Sequence, residues 1–253
     1  MQNAKTSRLS ILIVTTFALF SFSLDTSAAF GQIPDEFTNL QVLAKDISKQ
    51  ELTGHMRNFA IGLGVRCQFC HVGEAGQPLS TFDFASDEKK TKKTARIMMQ
   101  MVQNINGDHL EKISGRTRSI QVNCVTCHHG QSKPRMLEDV LANIVENEDA
   151  ETAIKKYHEL RENYYGGFTY DFSEGVLNNL AQRLHRGENT EAAIVFLNLN
   201  AELYPEAFST YFFLGEIYLA KGEKELAIKN YKKVLEFQPN NRRVKQRLDE
   251  LTQ

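Results

Sequence analysis

Apolar residues recur at the three-to-four-residue spacing of a helix along most of the chain, and no run alternates apolar with polar positions as a half-buried strand would. Ser48-Lys49-Gln50-Glu51 has the form of a capping box. It predicts a helix in which Leu52, Met56, Phe59 and Leu63 share one face and which Gly64 ends. The next periodic stretch predicts a helix over about 87–106, with Met98, Met101, Val102 and Ile105 along one face, Met99 off it, and Gly107 beyond its end. The pattern as a whole predicts an all-α fold.

From about residue 136 the helical pattern acquires an internal period. Leu180-Ala181, Ala193, Leu197 and Pro205 recur as Leu214-Gly215, Ala227, Tyr231 and Pro239, each displaced by 34 residues. Small residues where two antiparallel helices touch, closed by a Pro at this period, are the tetratricopeptide signature. Two repeats are expected, with a degenerate helical pair before them over about 140–165 and an end helix over 242–251 capping the stack.

The N-terminus predicts export. Lys5 and Arg8 form a basic region, residues 9–24 an apolar run, and Thr26-Ser27-Ala28-Ala29 a cleavage site of small side chains. The chain is thus expected in the periplasm; left uncleaved, the same run would tether it to the membrane. Four segments follow: a signal over 1–29, a linker over 30–39, a cysteine-bearing domain over 40–135 and the repeat domain over 136–253. Composition adds little: 42% hydrophobic and 24% charged residues are ordinary globular values. A formal net charge of −1 supplies no overall field for nucleic acid, which is not expected as a partner.

The chemistry lies in the cysteines. All four fall in two identical arrangements, Cys67-Gln68-Phe69-Cys70-His71 and Cys124-Val125-Thr126-Cys127-His128, with none left over. Two Cys three positions apart reach the two vinyl groups of one haem, and the His that follows can place a ring nitrogen on the iron. A four-thiolate zinc site and a pair of disulfides or redox dithiols are the competing readings. The zinc site leaves both histidines unexplained, and the redox pair needs a βαβ setting that the pattern does not supply. Two covalently attached haem c groups are therefore expected. Met56, eleven residues before Cys67, is a candidate sixth ligand for the first iron, and Met98 or Met101 for the second; gap-filling core methionines are the alternative.

Met56 with the first motif, Ala95-Arg96-Ile97-Met98-Met99-Gln100-Met101, and Val122-Asn123-Cys124-Val125-Thr126-Cys127-His128-His129-Gly130 together resemble the photosynthetic reaction centre cytochrome c subunit family. The resemblance covers about 40–134. It implies Met56 and Met98 as the sixth ligands, opposite His71 and His128. The tetrahaem members carry four haem motifs and no tandem repeats. They place a histidine ligand where an ungapped match puts Lys112; His109 meets that position only with a register shift. The resemblance therefore implies a shared dihaem unit, as in repeat-bearing relatives from non-phototrophic bacteria, and no photosynthetic role follows from it. The fold class becomes a c-type multihaem cytochrome domain followed by a helical tetratricopeptide-repeat solenoid.

Three functions compete on these residues. One is an electron-transfer protein, not an enzyme, working between donor and acceptor proteins. The second is a haem enzyme of the dihaem peroxidase kind, and the third an interaction scaffold whose repeat groove holds a protein or peptide. A methionine for each iron favours the first. Lys89, Lys90, Lys92 and Lys93 read as a solvated helix face, with an acidic redox partner as the alternative occupant. Arg66 and Arg118 have the chemistry to pair with haem propionates. His129 reads as a surface residue, and His55 is a weak ligand candidate.

Overall fold

A computed structural model of the chain describes residues 33–113 and 120–252, which form ten α-helices and no β-strand. One isolated antiparallel bridge joins Val72 to Asp83. The expected export signal and Arg118 lie outside the described residues.

The first helix, α1 (Lys49–Leu63), begins and ends as its sequence predicts. The Ser48 hydroxyl accepts the Glu51 N–H, and the Glu51 carboxylate accepts the Ser48 N–H. Gly64 closes the helix with a left-handed φ of 63°. Leu52 is buried and Met56, Phe59 and Leu63 are half-buried along the predicted face.

The second helix, α2 (Lys90–Asn104), departs from expectation at its end and on its face. Gly107 does not stop it; the chain continues through a π-helical turn, Ile105–His109, and a 3-10 turn, Leu110–Lys112. That widened turn carries Asn106, whose side-chain amide pairs with both main-chain groups of Val122, at 2.9 and 2.8 Å. The end of α2 is thus set by a contact sixteen residues away along the chain, which local spacing cannot show. The inward face holds Thr91, Lys92, Ala95, Arg96, Met98, Met99 and Val102, while Met101 is 42% exposed. At 100° per residue Met99 lies near the centre of this face and Met98 at its edge, so the expected exclusion of Met99 and inclusion of Met101 are both reversed. A one-turn helix, α3 (Cys124–His128), completes the first half.

The second half is a stack of antiparallel helices: α4 (Leu137–Asn147), α5 (Ala150–Tyr164), α6 (Glu174–Arg186), α7 (Thr190–Leu203), α8 (Phe208–Ala220), α9 (Lys224–Phe237) and α10 (Arg242–Thr252). The bounds of α6 and α7 recur in α8 and α9 with the same displacement of 34 residues that the sequence shows. Ala181 and Ala193 are fully buried where α6 meets α7. At the equivalent crossing, a Cβ on Gly215 would stand 2.6 Å from the Tyr231 ring, so only Gly lets that buried ring lie flat against α8. Asn200 stands where the second copy has Val234; its side-chain N–H groups donate to Asn178 Oδ1, Thr210 Oγ1 and the Glu174 carbonyl at 2.9–3.0 Å.

Both apolar cores of the stack consist only of residues from Leu137 onward. By contrast, Leu52 and Phe82 are the only apolar side chains that residues 33–113 and 120–135 bury in full. At about 1.5–3 kcal/mol for each large side chain removed from water, the stack carries its own driving force and the first half does not. Residues 136–253 expressed alone should therefore be helical without any prosthetic group and should melt cooperatively in far-ultraviolet circular dichroism. A coil spectrum would show that the stack depends on the first half.

Candidate haem-attachment site

The two Cys-x-x-Cys-His motifs are held by different devices. The first forms a 3-10 turn, Cys67–Phe69, with the His71 N–H donating to the Cys67 carbonyl at 2.9 Å. The N-terminal turn of α2 latches it: Lys89 Nζ donates to the Gln68 carbonyl and the Thr91 hydroxyl to the Phe69 carbonyl. Cys67 is exposed and Cys70 half-buried, and burial pushes the Cys70 thiol up from its ordinary pKa. The His71 ring meets Phe84 edge-on at 5.0 Å, and its Nδ1 is buried without a hydrogen bond. Burial first, then the Lys92 charge, hold this imidazole toward the neutral form, which is the form that ligates a metal.

The loop between the first motif and α2 is stapled by charge. Lys92 is buried, and its ammonium donates to the carbonyls of Phe84, Ala85 and Ser86 at 2.7–3.1 Å and pairs with Asp87 at 3.3 Å. Arg96 pairs with the same carboxylate at 2.8 Å, and Asn39 donates to it at 3.0 Å. The lysine run is therefore only partly the solvated face expected of it. Lys89 and Lys92 turn inward onto carbonyls that no helix or strand satisfies, while Lys90 and Lys93 are exposed.

The second motif is α3 itself. Asn123 and Thr126 form a reciprocal cap at its start, and the Asn106 amide fixes the preceding Val122. His129 ends the helix with a left-handed φ of 49° and Gly130 continues left-handed at 79°. That reversal brings the chain back so that the Gln131 carbonyl stands 2.7 Å from His128 Nδ1. A carbonyl only accepts, so Nδ1 carries the proton and Nε2 keeps its lone pair for a metal. Cys124 is half-buried and Cys127 exposed, and burial raises the Cys124 thiol pKa.

Both motifs converge on the C-terminal end of α1. The Gly130 N–H donates to the Gly62 carbonyl at 3.0 Å. A Cβ on Gly62 would lie 3.1 Å from Cys124 Cβ, and one on Gly64 would collide with the Gly130 carbonyl oxygen. Cys67 follows Gly64 by three residues, at most about 11 Å of chain. Met56 lies half-buried on the same helix, two turns back, and Met98 is half-buried on α2. His109 is exposed in the π turn, His55 is exposed over Phe59, and Arg66 is exposed beside Cys67. His129 is exposed, with Nε2 3.0 Å from the Thr126 carbonyl.

All four cysteines are unbridged, and no three His, Cys, Asp or Glu side chains among the described residues gather into a metal-holding group. The donor set fits two separate haems: in each motif one exposed and one half-buried thiol flank a turn, followed by a half-buried histidine. Sequence reasoning placed Lys92 on a solvated face and missed Gly62, Asn106 and Gln131. Of these, only Gln131 stands beside a recognisable signal, the His-His-Gly that precedes it. Gly64→Ala should cost at least about 1–2 kcal/mol in urea denaturation, because an L side chain is strained at this φ even before the collision with Gly130. A loss confined to a few tenths would show that α1 and α3 part without consequence.

Comparison with known proteins points to a cytochrome region followed by a tetratricopeptide repeat. Residues 19–182 match the family described as photosynthetic reaction centre cytochrome C subunit, and residues 208–241 match the tetratricopeptide repeat. Cytochrome c-554 of Chloroflexus aurantiacus is 32% identical over 108 residues, which cover 42% of this chain. The chain spans 23% of that relative's length. Among solved structures, the first tetratricopeptide domain of Spaghetti, bound to an HSP90 peptide, is 22% identical over 46% of this chain and 87% of that one, with a TM-score of 0.32. With the match covering well over half of its 253 residues and both Cys-x-x-Cys-His motifs inside it, the chain belongs to the photosynthetic reaction centre cytochrome C subunit family and carries a tetratricopeptide repeat behind the cytochrome region.

Proposed function

We propose that the protein is an exported, periplasmic dihaem cytochrome c that passes single electrons between protein partners and catalyses no reaction of its own. Cys67 and Cys70 would hold one haem through thioether bonds with His71 on its iron, and Cys124, Cys127 and His128 would hold the other. Met56 and Met98 would take the opposite iron positions. When bound, each group supplies a reversible one-electron couple.

The observation that carries this reading is the His128 ring: its Nδ1 proton is engaged by the Gln131 carbonyl, which leaves the Nε2 lone pair available to a metal and supports its role as a ligand. His71 is held neutral by burial and by Lys92, which serves the same end by another route. The small apolar core of the first half supports the reading as well, since its described residues bury only Leu52 and Phe82 among large apolar side chains and large apolar groups would complete it. Both attachment sites flank the end of α1, which supports passage of an electron within the chain as well as between chains. Lys90 and Lys93 remain exposed beside the first site, where an acidic donor or acceptor would dock. The repeat stack supplies a separate surface for a protein or peptide partner.

Protein matured with a haem-attachment system should yield two haems per chain by pyridine haemochrome analysis. Cys67→Ala/Cys70→Ala and Cys124→Ala/Cys127→Ala should each remove one. Zero or one haem in the unsubstituted chain overturns the proposal.

Met56→Ala and Met98→Ala should each open one iron to carbon monoxide, lower that haem's potential, and weaken the red ferric band that iron–thioether bonding gives. Met99 also faces inward on α2, so Met99→Ala should cost packing, about 2–5 kcal/mol at most for a buried methionine, while leaving the band intact. If the band survives Met98→Ala and is halved by Met99→Ala, the two methionines exchange roles.

A further inference from the structure

The two histidines differ in what stands behind them. The His71 ring has the Phe84 main chain beside it, its buried Nδ1 short of a full hydrogen bond, whereas His128 Nδ1 is tied to Gln131. Gln131 is in turn tied at every polar group. Its N–H donates to the His128 carbonyl at 2.8 Å and its own carbonyl accepts from the His128 ring at 2.7 Å. Its side chain reaches across to the loop between α5 and α6, where Nε2 donates to the Thr169 carbonyl at 3.2 Å and Oε1 accepts from the Tyr170 hydroxyl at 2.9 Å. Tyr170 packs edge-on against Tyr164 at 5.5 Å and Phe172 at 6.2 Å. Phe172 is buried and meets Tyr157, a fully buried member of the repeat-side core, at 5.8 Å. A continuous path of packed and hydrogen-bonded groups therefore joins the His128 ring to the core of the helical stack.

We infer that Gln131 and Tyr170 are positioning residues for the second haem's histidine, through which the helical stack sets that haem's reduction potential. The inference rests on the proposed ligation of iron by His128. A carbonyl that accepts from Nδ1–H increases the donor strength of Nε2 and so favours the ferric state. The place of that carbonyl depends on where Gln131 is held, and the Tyr170 hydroxyl and Thr169 carbonyl hold it. Burial raises the Tyr170 phenol above its ordinary pKa, which keeps the hydroxyl protonated and donating at neutral pH. Gly130 lies beside the same loop with room to spare: a Cβ there would make only ordinary contact, 3.6 Å from Thr169 Oγ1 and 3.7 Å from Phe168. Release of the tether lets the carbonyl relax away from Nδ1, weakens Nε2 as a donor and raises the potential.

The test is a spectroelectrochemical titration of the full-length holoprotein carrying Tyr170→Phe or Gln131→Ala. Each haem is resolved with the help of the Cys67→Ala/Cys70→Ala background, which keeps only the second. Tyr170→Phe removes one oxygen and leaves the ring contacts in place, so the fold is retained. The ferrous-to-ferric ratio of the second haem at fixed ambient potential should rise about three- to tenfold in both variants, tenfold being about 59 mV for one electron. The first haem should not move, because the path through Gln131 and Tyr170 does not reach His71. Phe168→Ala, in the same loop but outside the hydrogen-bonded path, should move neither. An unchanged second haem in both variants overturns the inference, as does an equal shift of both haems, which would report general loosening. Loss of the underlying ligation reading is separately visible: the second haem's ferric spectrum in the parent protein would then be insensitive to His128→Ala.

Discussion

The arrangement of the cytochrome half depends on a main-chain contact with no side chain in it. Gly62 and Gly64 at the end of α1 face Cys124 and Gly130 of the second motif, with the Gly130 N–H on the Gly62 carbonyl. One such hydrogen bond adds only about 1 kcal/mol net, so its importance is not stability. Two backbones in direct contact have no flexible side chain to absorb a displacement. Because Cys67 follows Gly64 within three residues, the placing of either motif restricts the other. The left-handed φ at Gly64 serves two ends at once, closing α1 and clearing space for the Gly130 carbonyl.

Around that contact the segment is stitched by polar groups. A buried ammonium is costly unless charge and hydrogen bonds compensate it, and Lys92 has both: three loop carbonyls and the Asp87 carboxylate. Asp87 in turn has its carboxyl held well below the ordinary range, chiefly by the Arg96 hydrogen bond and then by Asn39 and Lys92. A depressed carboxyl contributes at every pH above its unfolded value and loses that contribution only as strong acid protonates the folded form. The network is therefore fully formed at neutral pH. Polar staples of this kind fix the path of a loop without filling a core.

Much of this was legible in the sequence, and what was not has a common cause. The capping box at Ser48, the left-handed stop at Gly64 and the 34-residue displacement of α6 and α7 onto α8 and α9 are local or periodic signals. The two Cys-x-x-Cys-His motifs were equally plain, since five adjacent residues carry the whole chemistry. The misread features answer to distant partners. Lys92 reads as a surface charge until the carbonyls of 84–86 are brought over it, and Gly107 reads as a stop until Asn106 is seen bound to Val122. The inward face of α2 was placed by its apolar residues, whereas the structure turns inward a face that mixes Lys92 and Arg96 with Met98 and Met99. Where polar residues do the burying, hydrophobic periodicity points to the wrong side of a helix.

The cytochrome region and the helical stack overlap along the chain. Composition changes at about residue 136, where cysteine ends and uninterrupted helix begins, yet the family match continues to residue 182. The residues gained by that extension are α4, α5, the loop that carries Thr169 and Tyr170, and most of α6. That loop is where Gln131 is anchored, and the hydrogen bonds there span 38 and 39 residues of sequence. A boundary drawn from composition thus cuts through a set of contacts that reaches the His128 ring. The helices α4 and α5 and the loop before α6 therefore lie within the cytochrome match as well as at the base of the stack, while α7 to α10, with the repeat matched over 208–241, lie beyond it. Those contacts join the second motif directly to the base of the stack, and the first motif is joined to it only through the end of α1.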